Sequence, residues 1–132
     1  MQYAIIGAGG TGGVVGYFMT KAGKDVTLIA RGRHLEAMKE HGLTLERLWD
    51  PNPETIAVKA TDMEHYKEQP DVILVCVKGY SLEDTVPFIR RVAKPDTIVI
   101  PILNIYGTGA KLQKELPELL VTDGCIYVSA NI

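Results

Sequence analysis

The amino-acid sequence predicts a single doubly wound α/β domain, with a mainly parallel β-sheet and helices on both faces. Three observations predict this fold class. Short apolar segments rich in β-branched residues alternate with segments whose apolar residues recur at helical spacing. The segment 71–78, DVILVCVK, is apolar along most of its length, as expected for a strand covered on both faces. No internal repeat, low-complexity tract or linker interrupts the alternation.

Size and charge exclude several classes of protein. The 132 residues suffice for one domain with a core, and the formal net charge of −2 argues against a nucleic-acid or anionic-membrane partner. The apolar runs are shorter than the roughly 18 residues that a membrane-spanning helix needs. The N-terminus lacks the basic region of a signal peptide. We therefore expect a cytoplasmic protein with neither a nucleic-acid nor a membrane partner.

The cysteine and histidine residues are not spaced as a metal site requires. Cys76 and Cys125 lie far apart in apolar segments, so we expect buried, reduced thiols rather than a disulfide bond. His34, His41 and His65 lack the spacing of metal ligands, and we expect all three at the surface. No bound metal is predicted.

The first third of the chain is predicted to contain two strand–helix pairs. Residues 3–6 and 25–30 are short apolar runs typical of strands. Apolar residues recur at helical spacing in 14–22 and again in 34–42, HLEAMKEHG. Gly23 stands where the first of these helices should end.

The next segment is irregular. LTLERL at 43–48 and TIAVKA at 55–60 have the alternation of short strands. Between them, Asp-Pro-Asn-Pro at 50–53 is typical of a turn. The sequence therefore predicts two short strands joined at 50–53.

The parallel pattern resumes with the strand at 71–78. A helix is predicted to follow, because apolar residues recur at helical spacing over 82–93 and Ser81 is a suitable N-cap. Pro87 leaves two alternatives: either it kinks this helix, or the helix begins at Pro87 and 81–86 form a separate turn.

The last third completes the alternation. TIVIPIL at 97–103 is predicted to be a strand, and GAKLQKEL at 109–116 a short helix. LLVTDGCIYVSANI at 119–132 is predicted to form one strand or a pair of strands.

A glycine-rich loop follows the first strand and opens the first helix. Gly7, Gly9 and Gly12 form the pattern G-x-G-x-x-G, which indicates a Rossmann-type dinucleotide site. The first glycine permits the tight turn, the second lets a pyrophosphate approach, and the third lets the helix pack closely on the sheet. The alternative is a glycine-rich turn without a ligand. The predicted cofactor-binding loop is Gly7, Ala8, Gly9, Gly10, Thr11 and Gly12.

The end of the second strand indicates which dinucleotide is bound. NAD-binding enzymes usually place Asp or Glu there, whereas this chain has Ala30 followed by Arg31, and Asp25 lies at the other end of the strand. An arginine can pair with the 2′-phosphate of NADP in a bidentate manner, and Arg33 is near enough in sequence to contribute. A solvated basic turn is the alternative. NADP is the predicted cofactor.

Two further polar residues follow strands at the same edge of the predicted sheet. Lys78 ends the segment 71–78, and Asn104 directly follows the segment 97–103. Side chains of these types can bind a ribose hydroxyl, a carboxamide or a substrate carboxylate. The alternative for each is a strand terminus that faces solvent. We expect both to contribute to catalysis and to cofactor binding.

Five segments together resemble the N-terminal domain of the ketopantoate reductases (2-dehydropantoate 2-reductases). They are IIGAGGTGG, LIARGRHLEAMKEHGLTL, VCVKGYSLED, LNIYGTGAKLQKELPE and GCIYVSANI. Many dinucleotide-binding enzymes share the first, whereas the second and third in this order are more specific. The resemblance covers the chain from end to end. It implies NADPH-dependent reduction of ketopantoate, a 2-keto acid, to pantoate in pantothenate biosynthesis.

The resemblance also implies roles for residues already singled out. It assigns Gly7, Gly9 and Gly12 to the pyrophosphate and Arg31 to the 2′-phosphate. It places Lys78 and Asn104 beside the nicotinamide and the substrate.

The sequence departs from the family in two respects. The family usually has glycine after the asparagine, where this chain has Ile105, and a β-branched residue fits a positive φ badly, so the loop after Asn104 is expected to differ from that of the family. The family also has a helical C-terminal domain that carries the proton donor, a substrate-binding carboxylate and much of a homodimer interface. Residues 1–132 are therefore expected to be the dinucleotide-binding domain alone. A non-catalytic NADP(H)-binding regulatory module, or a dehydrogenase for another 2-keto or 3-hydroxy acid, is the alternative.

The 132-residue chain is expected to bind NADPH without reducing ketopantoate at a measurable rate. Loss of a general acid typically lowers a rate by about 10²–10⁴-fold, and loss of the opposing wall also removes substrate orientation. The measurement is NADPH oxidation with ketopantoate at saturating cofactor, beside a full-length family reductase. Turnover at a comparable rate would contradict the expectation and make Lys78 the proton donor.

Overall fold

The computed structural model describes residues 1–7, 10–47, 50–76, 82–102 and 108–122. Within these ranges the chain forms eight strands and four helices. In chain order they are β1 (Gln2–Ile6), α1 (Gly10–Lys21), β2 (Asp25–Ile29), α2 (Gly32–His41), β3 (Leu43–Arg47), β4 (Asp50–Ile56), β5 (Lys59–Thr61), β6 (Val72–Val75), α3 (Leu82–Val92), β7 (Ile98–Pro101), α4 (Thr108–Glu115) and β8 (Leu120–Val121).

Six of the strands form one parallel sheet in the order β5-β2-β1-β6-β7-β8. Every pairing in this sheet is parallel. The chain runs outward from β1 through β2 to β5, then returns to β6 on the other side of β1 and runs outward to β8. This is the doubly wound arrangement, so the predicted fold class is confirmed.

The two faces of the sheet are covered by different helices. Alternate residues of β1 and β6 point to opposite faces, so each strand contributes to two clusters. The cluster between the sheet and helices α3 and α4 consists of Ala4, Ile6, Ile29, Tyr66, Ile73, Val75, Phe88, Ile89, Val92, Val99, Leu112, Leu116, Leu119 and Val121. The cluster between the sheet and helices α1 and α2 consists of Ile5, Val26, Leu28, Ala30, Leu35, Met38, Val72, Leu74 and Cys76. These two layers explain why the strand segments are apolar throughout.

The segment between α2 and β6 differs from the prediction. Residues 50–53 begin strand β4 rather than forming a turn, and the connection to β3 falls at 48–49, outside the described residues. TIAVKA is not one strand, because it is divided between the end of β4 and β5 of the main sheet. Prolines are tolerated in β4 because the β3–β4 pair is a separate two-stranded sheet, so one edge of each strand is unpaired.

Helix α3 settles the alternatives for Pro87. The helix begins at Leu82 and continues to Val92, so Pro87 lies inside it and does not begin it. The hydrogen bond that proline cannot donate would go to Glu83 in the first turn. Buried Phe88 and Ile89 follow directly and fasten the helix to the sheet. The predicted N-cap, Ser81, lies outside the described residues.

The connection from β5 to β6 contains no helix. Instead, Tyr66 is buried in the core, and its ring centroid lies 5.7 Å from that of Phe88. The guanidinium of Arg91 donates hydrogen bonds to the main-chain carbonyls of Tyr66, at 3.0 Å, and Met63. This connection is therefore held against α3 by one aromatic side chain and one arginine.

A polar network fixes the amino-terminal ends of the central strands. The Asp71 carboxylate accepts a hydrogen bond from the main-chain N–H of Gln2 at 2.7 Å and pairs with the Lys94 ammonium. The Thr97 hydroxyl donates to the carbonyl of Pro70 at 2.7 Å. The hydrogen bonds from Lys94 and Gln2 lower the pKa of Asp71 below its ordinary value of 3.8. The carboxylate therefore stabilises the folded state in its charged form.

The substitution Asp71→Asn is expected to lower the urea midpoint at pH 7. Because the pKa of Asp71 is lower in the folded chain, its contribution is present above the unfolded pKa and is lost as the pH falls through the folded value. The difference from the unsubstituted chain should therefore shrink between pH 5 and pH 2. Urea unfolding at a series of pH values measures this difference. Glu36→Gln, at an exposed position of α2, is the control. A difference that is constant with pH would contradict the assignment.

Candidate functional site

The strand order reverses between β1 and β6, and this creates a crevice at their carboxyl ends. The two strands are in register from Tyr3 and Val72 to Ile6 and Val75. The N–H of Cys76 donates to the carbonyl of Ile6 at 2.8 Å. After β1 the chain enters α1, which covers one face of the sheet, whereas α3 covers the other. Doubly wound proteins bind ligands at such a position.

Gly7 makes the turn out of β1. Its φ of 91° lies in the region that favours glycine, and its N–H donates to the carbonyl of Ile29 at 2.9 Å. Helix α1 begins only three residues later, at Gly10. The intervening Ala8 and Gly9 lie outside the described residues. The sharp turn brings the first turn of α1 directly over the end of β1.

Gly12 lets the first turn of α1 lie close to the turn that follows β1. A Cβ atom built on Gly12 would lie 1.8 Å from the carbonyl oxygen of Gly7 and 3.2 Å from Cβ of Cys76. One turn later, a Cβ on Gly16 would lie 2.5 Å from a methyl carbon of Leu28. The helix rests on the sheet through these two glycines. Of these two glycines, Gly12 faces a main-chain carbonyl, whereas Gly16 faces a flexible side chain.

The amino-terminal end of α1 lies at the crevice. The first N–H groups of a helix have no partner within it, and the helix dipole makes this end electropositive. The first turn of α1 contains no acidic residue. The start of α1, with its electropositive helix end and no side chain at Gly12, forms a cradle whose charge suits an anion such as a phosphate group.

Arg31 lies at the carboxyl end of β2, next to this cradle. Ala30, the last buried residue of the strand segment, donates its N–H to Thr61 at 2.9 Å, and exposed Arg31 follows with extended backbone at the start of α2. Asp25 is at the opposite end of β2, about 20 Å along the strand, and pairs with Lys59. Asp25 is therefore too distant to act at this edge, as the sequence predicts.

The predicted residues Lys78 and Asn104 lie outside the described residues. The strands that precede them are described: the N–H of Ile102, after β7, donates to the carbonyl of Val75 in β6 at 2.8 Å. The carboxyl ends of these strands are thus adjacent, and the roles of Lys78 and Asn104 remain predictions.

Cys76 is a buried, free thiol, as predicted, and burial raises its pKa to about 12. Cys125 lies outside the described residues. His41 and His65 are exposed, whereas His34 is only half-exposed. Within the described ranges, no cluster of three or more His, Cys, Asp or Glu residues could hold a metal ion. No helix in the same ranges is long and apolar enough to cross a membrane.

The sequence pattern of the family described as ketopantoate reductase PanE/ApbA matches residues 3–132. The chain belongs to this family. The 2-dehydropantoate 2-reductase of Pyrococcus horikoshii is 34% identical over 114 residues, which cover 86% of this chain and 36% of that protein. The resemblance found in the sequence is thereby confirmed.

Solved structures of the family have the same fold. The PanE/ApbA family ketopantoate reductase from Ralstonia eutropha JMP134 is 29% identical, with a TM-score of 0.86 over 98% of this chain and 42% of that one. The 2-dehydropantoate 2-reductase from Porphyromonas gingivalis W83 is 30% identical, with a TM-score of 0.85 over 99% of this chain and 48% of that one. This chain spans less than half the length of these relatives.

The substitution Gly12→Ala is expected to destabilise the domain strongly and to abolish dinucleotide binding, because the new Cβ would overlap the Gly7 carbonyl. Overpacking typically costs 1–3 kcal/mol, and we expect about 3 kcal/mol or more where main chain must move. Gly16→Ala is the matched control, with a cost of about 1 kcal/mol, since Leu28 can adjust. Urea unfolding and NADPH titration measure both. Equal stabilities for the two variants would contradict the geometry.

Proposed function

We propose that this chain is the cofactor-binding domain of an NADPH-dependent 2-dehydropantoate 2-reductase. The observation that carries the proposal is the contact between Gly12 and Gly7 at the reversal point of a parallel sheet. In a chain of the ketopantoate reductase family, this close packing of α1 is one element of the glycine pattern by which Rossmann-type domains bind a dinucleotide. The enzyme would act in the cytoplasm, in pantothenate biosynthesis.

The loop of residues 7–12 is proposed to hold the pyrophosphate of the cofactor. The main-chain N–H groups at the start of α1 would donate to the phosphate oxygens, and the absence of an acidic residue in its first turn avoids repulsion. Close packing at Gly12 holds these donors in place before the ligand arrives. When bound, the cofactor supplies the hydride for reduction of a keto group.

Arg31 is proposed to select NADP over NAD. Its guanidinium can pair with the 2′-phosphate, whereas the nearest acidic residue of the strand, Asp25, is at the far end of β2 and already paired with Lys59. A carboxylate at position 31 would favour the ribose hydroxyls of NAD instead. The charge at one position thus determines the preferred cofactor.

Lys78 and Asn104 are proposed to face the nicotinamide and the 2-keto acid. They follow the adjacent strands β6 and β7, whose carboxyl ends lie beside the glycine loop. The proton donor and a homodimer interface would come from the additional length of the relatives. Residues 1–132 would bind and orient the cofactor.

The proposal is tested by titrating the 132-residue chain with NADPH and NADH. A charge-assisted pair is worth about 1.5–3 kcal/mol, so NADPH should bind about tenfold or more tightly, and Arg31→Ala should remove most of the difference. Lys24→Ala, which removes an exposed cation before β2 at the opposite edge, is the control and should change neither affinity. Equal affinities in the unsubstituted chain would refute the choice of NADP. Absence of binding to both would refute the proposed function.

A further inference from the structure

Cys76 lies directly beneath the first turn of α1. Its N–H is hydrogen-bonded to the carbonyl of Ile6, which fixes the residue beside the end of β1. The residue is only 4% exposed and belongs to the cluster under α1 and α2. The sequence marks it only as a core cysteine.

The first turn of α1 rests on two supports. A Cβ built on Gly12 would meet the carbonyl of Gly7 at 1.8 Å and Cβ of Cys76 at 3.2 Å. The first support is main chain, held by the hydrogen bond from Gly7 to Ile29. Its position is therefore the same for any sequence that keeps the turn. The second support is the Cβ atom of Cys76, so a bulkier residue at position 76 would add atoms next to the first turn of α1.

We propose that a small, unbranched side chain at position 76 is needed for the first turn of α1 to lie close to the sheet, and that Cys76 is in this sense a positioning residue for the pyrophosphate. This inference rests on the proposed function, because the donors that would move are those assigned to the cofactor. Preorganised donors must be held within about 0.5 Å of their working positions. A branched side chain at position 76 would push the turn outward by a comparable distance.

The thiol itself has no chemical role in this support. Burial keeps it neutral, since its pKa is raised to about 12. The atom nearest Gly12 is Cβ, which alanine also has. Replacement by alanine therefore keeps the support, whereas valine adds a γ-carbon branch beneath the helix.

The experiment compares Cys76→Ala and Cys76→Val, with Cys76→Thr as a second branched variant in case the valine variant does not fold. Val72→Ile is the matched control. Val72 belongs to the same cluster as Cys76 but begins β6, whereas Cys76 directly follows the end of that strand. Each 132-residue variant is titrated with NADPH and with adenosine 2′-monophosphate, which lacks the pyrophosphate. Urea midpoints report stability.

We expect the branched variants to bind NADPH about tenfold or more weakly, which corresponds to about 1.4 kcal/mol. Cys76→Ala and Val72→Ile should stay within about threefold of the unsubstituted chain, a change of under 1 kcal/mol. Affinity for adenosine 2′-monophosphate should be the same in all variants, because only the pyrophosphate donors move.

Three results would overturn the inference while leaving the proposed function intact. They are unchanged NADPH affinity in the branched variants, an equal loss in Val72→Ile at equal stability, and an equal loss in folded Cys76→Ala. If the unsubstituted chain binds no dinucleotide, the proposed function fails and this inference fails with it.

Discussion

The close approach of α1 to the end of β1 is the constraint on which the candidate site depends. With no side chain at Gly12, the helix can begin three residues after Gly7 and still cover the sheet. Because β1 is paired on both sides, with β2 and β6, the position of this turn is fixed by the two hydrogen-bonded ladders at the centre of the sheet. A rigid sheet thus determines where the helix donors lie. A ligand at this site would not need to organise them, which would lower the cost of binding.

The two ends of the sheet have different chemistry. At the amino-terminal end, charged side chains neutralise one another in pairs, Asp71 with Lys94 and Asp25 with Lys59. At the carboxyl end, the described donors at the start of α1 are main-chain groups, and the exposed side chains of Arg31 and Arg33 follow β2. Paired charges stabilise a fold without attracting an ion. Main-chain donors at a helix terminus attract an anion without adding a mobile charge. The asymmetry separates stability from binding.

Local sequence patterns predicted most of the fold and the frame of the candidate site. Some features depend on nearby residues and are therefore visible in the sequence. They are the glycine pattern, the apolar strand segments and the end of α1 shortly before Gly23. The division of TIAVKA is not, because its second half becomes β5 only by pairing with distant β2. Pro87 is similar: the burial of Phe88 and its neighbours outweighs the hydrogen bond that proline lacks. The support that Cys76 gives to Gly12 joins positions 64 residues apart, and no periodicity indicates it.

The connection from β5 to β6 has a thermodynamic consequence. A crossover helix would bring its own ladder of hydrogen bonds, whereas residues 62–69 rely mainly on Tyr66 in the core and on the hydrogen bonds from Arg91. The connection therefore has little stability independent of α3. If α3 leaves the sheet, Arg91 and Phe88 leave with it, and the connection loses both attachments. Residues 62–69 and α3 thus form a single cooperative unit of local unfolding, although they belong to different strand crossovers.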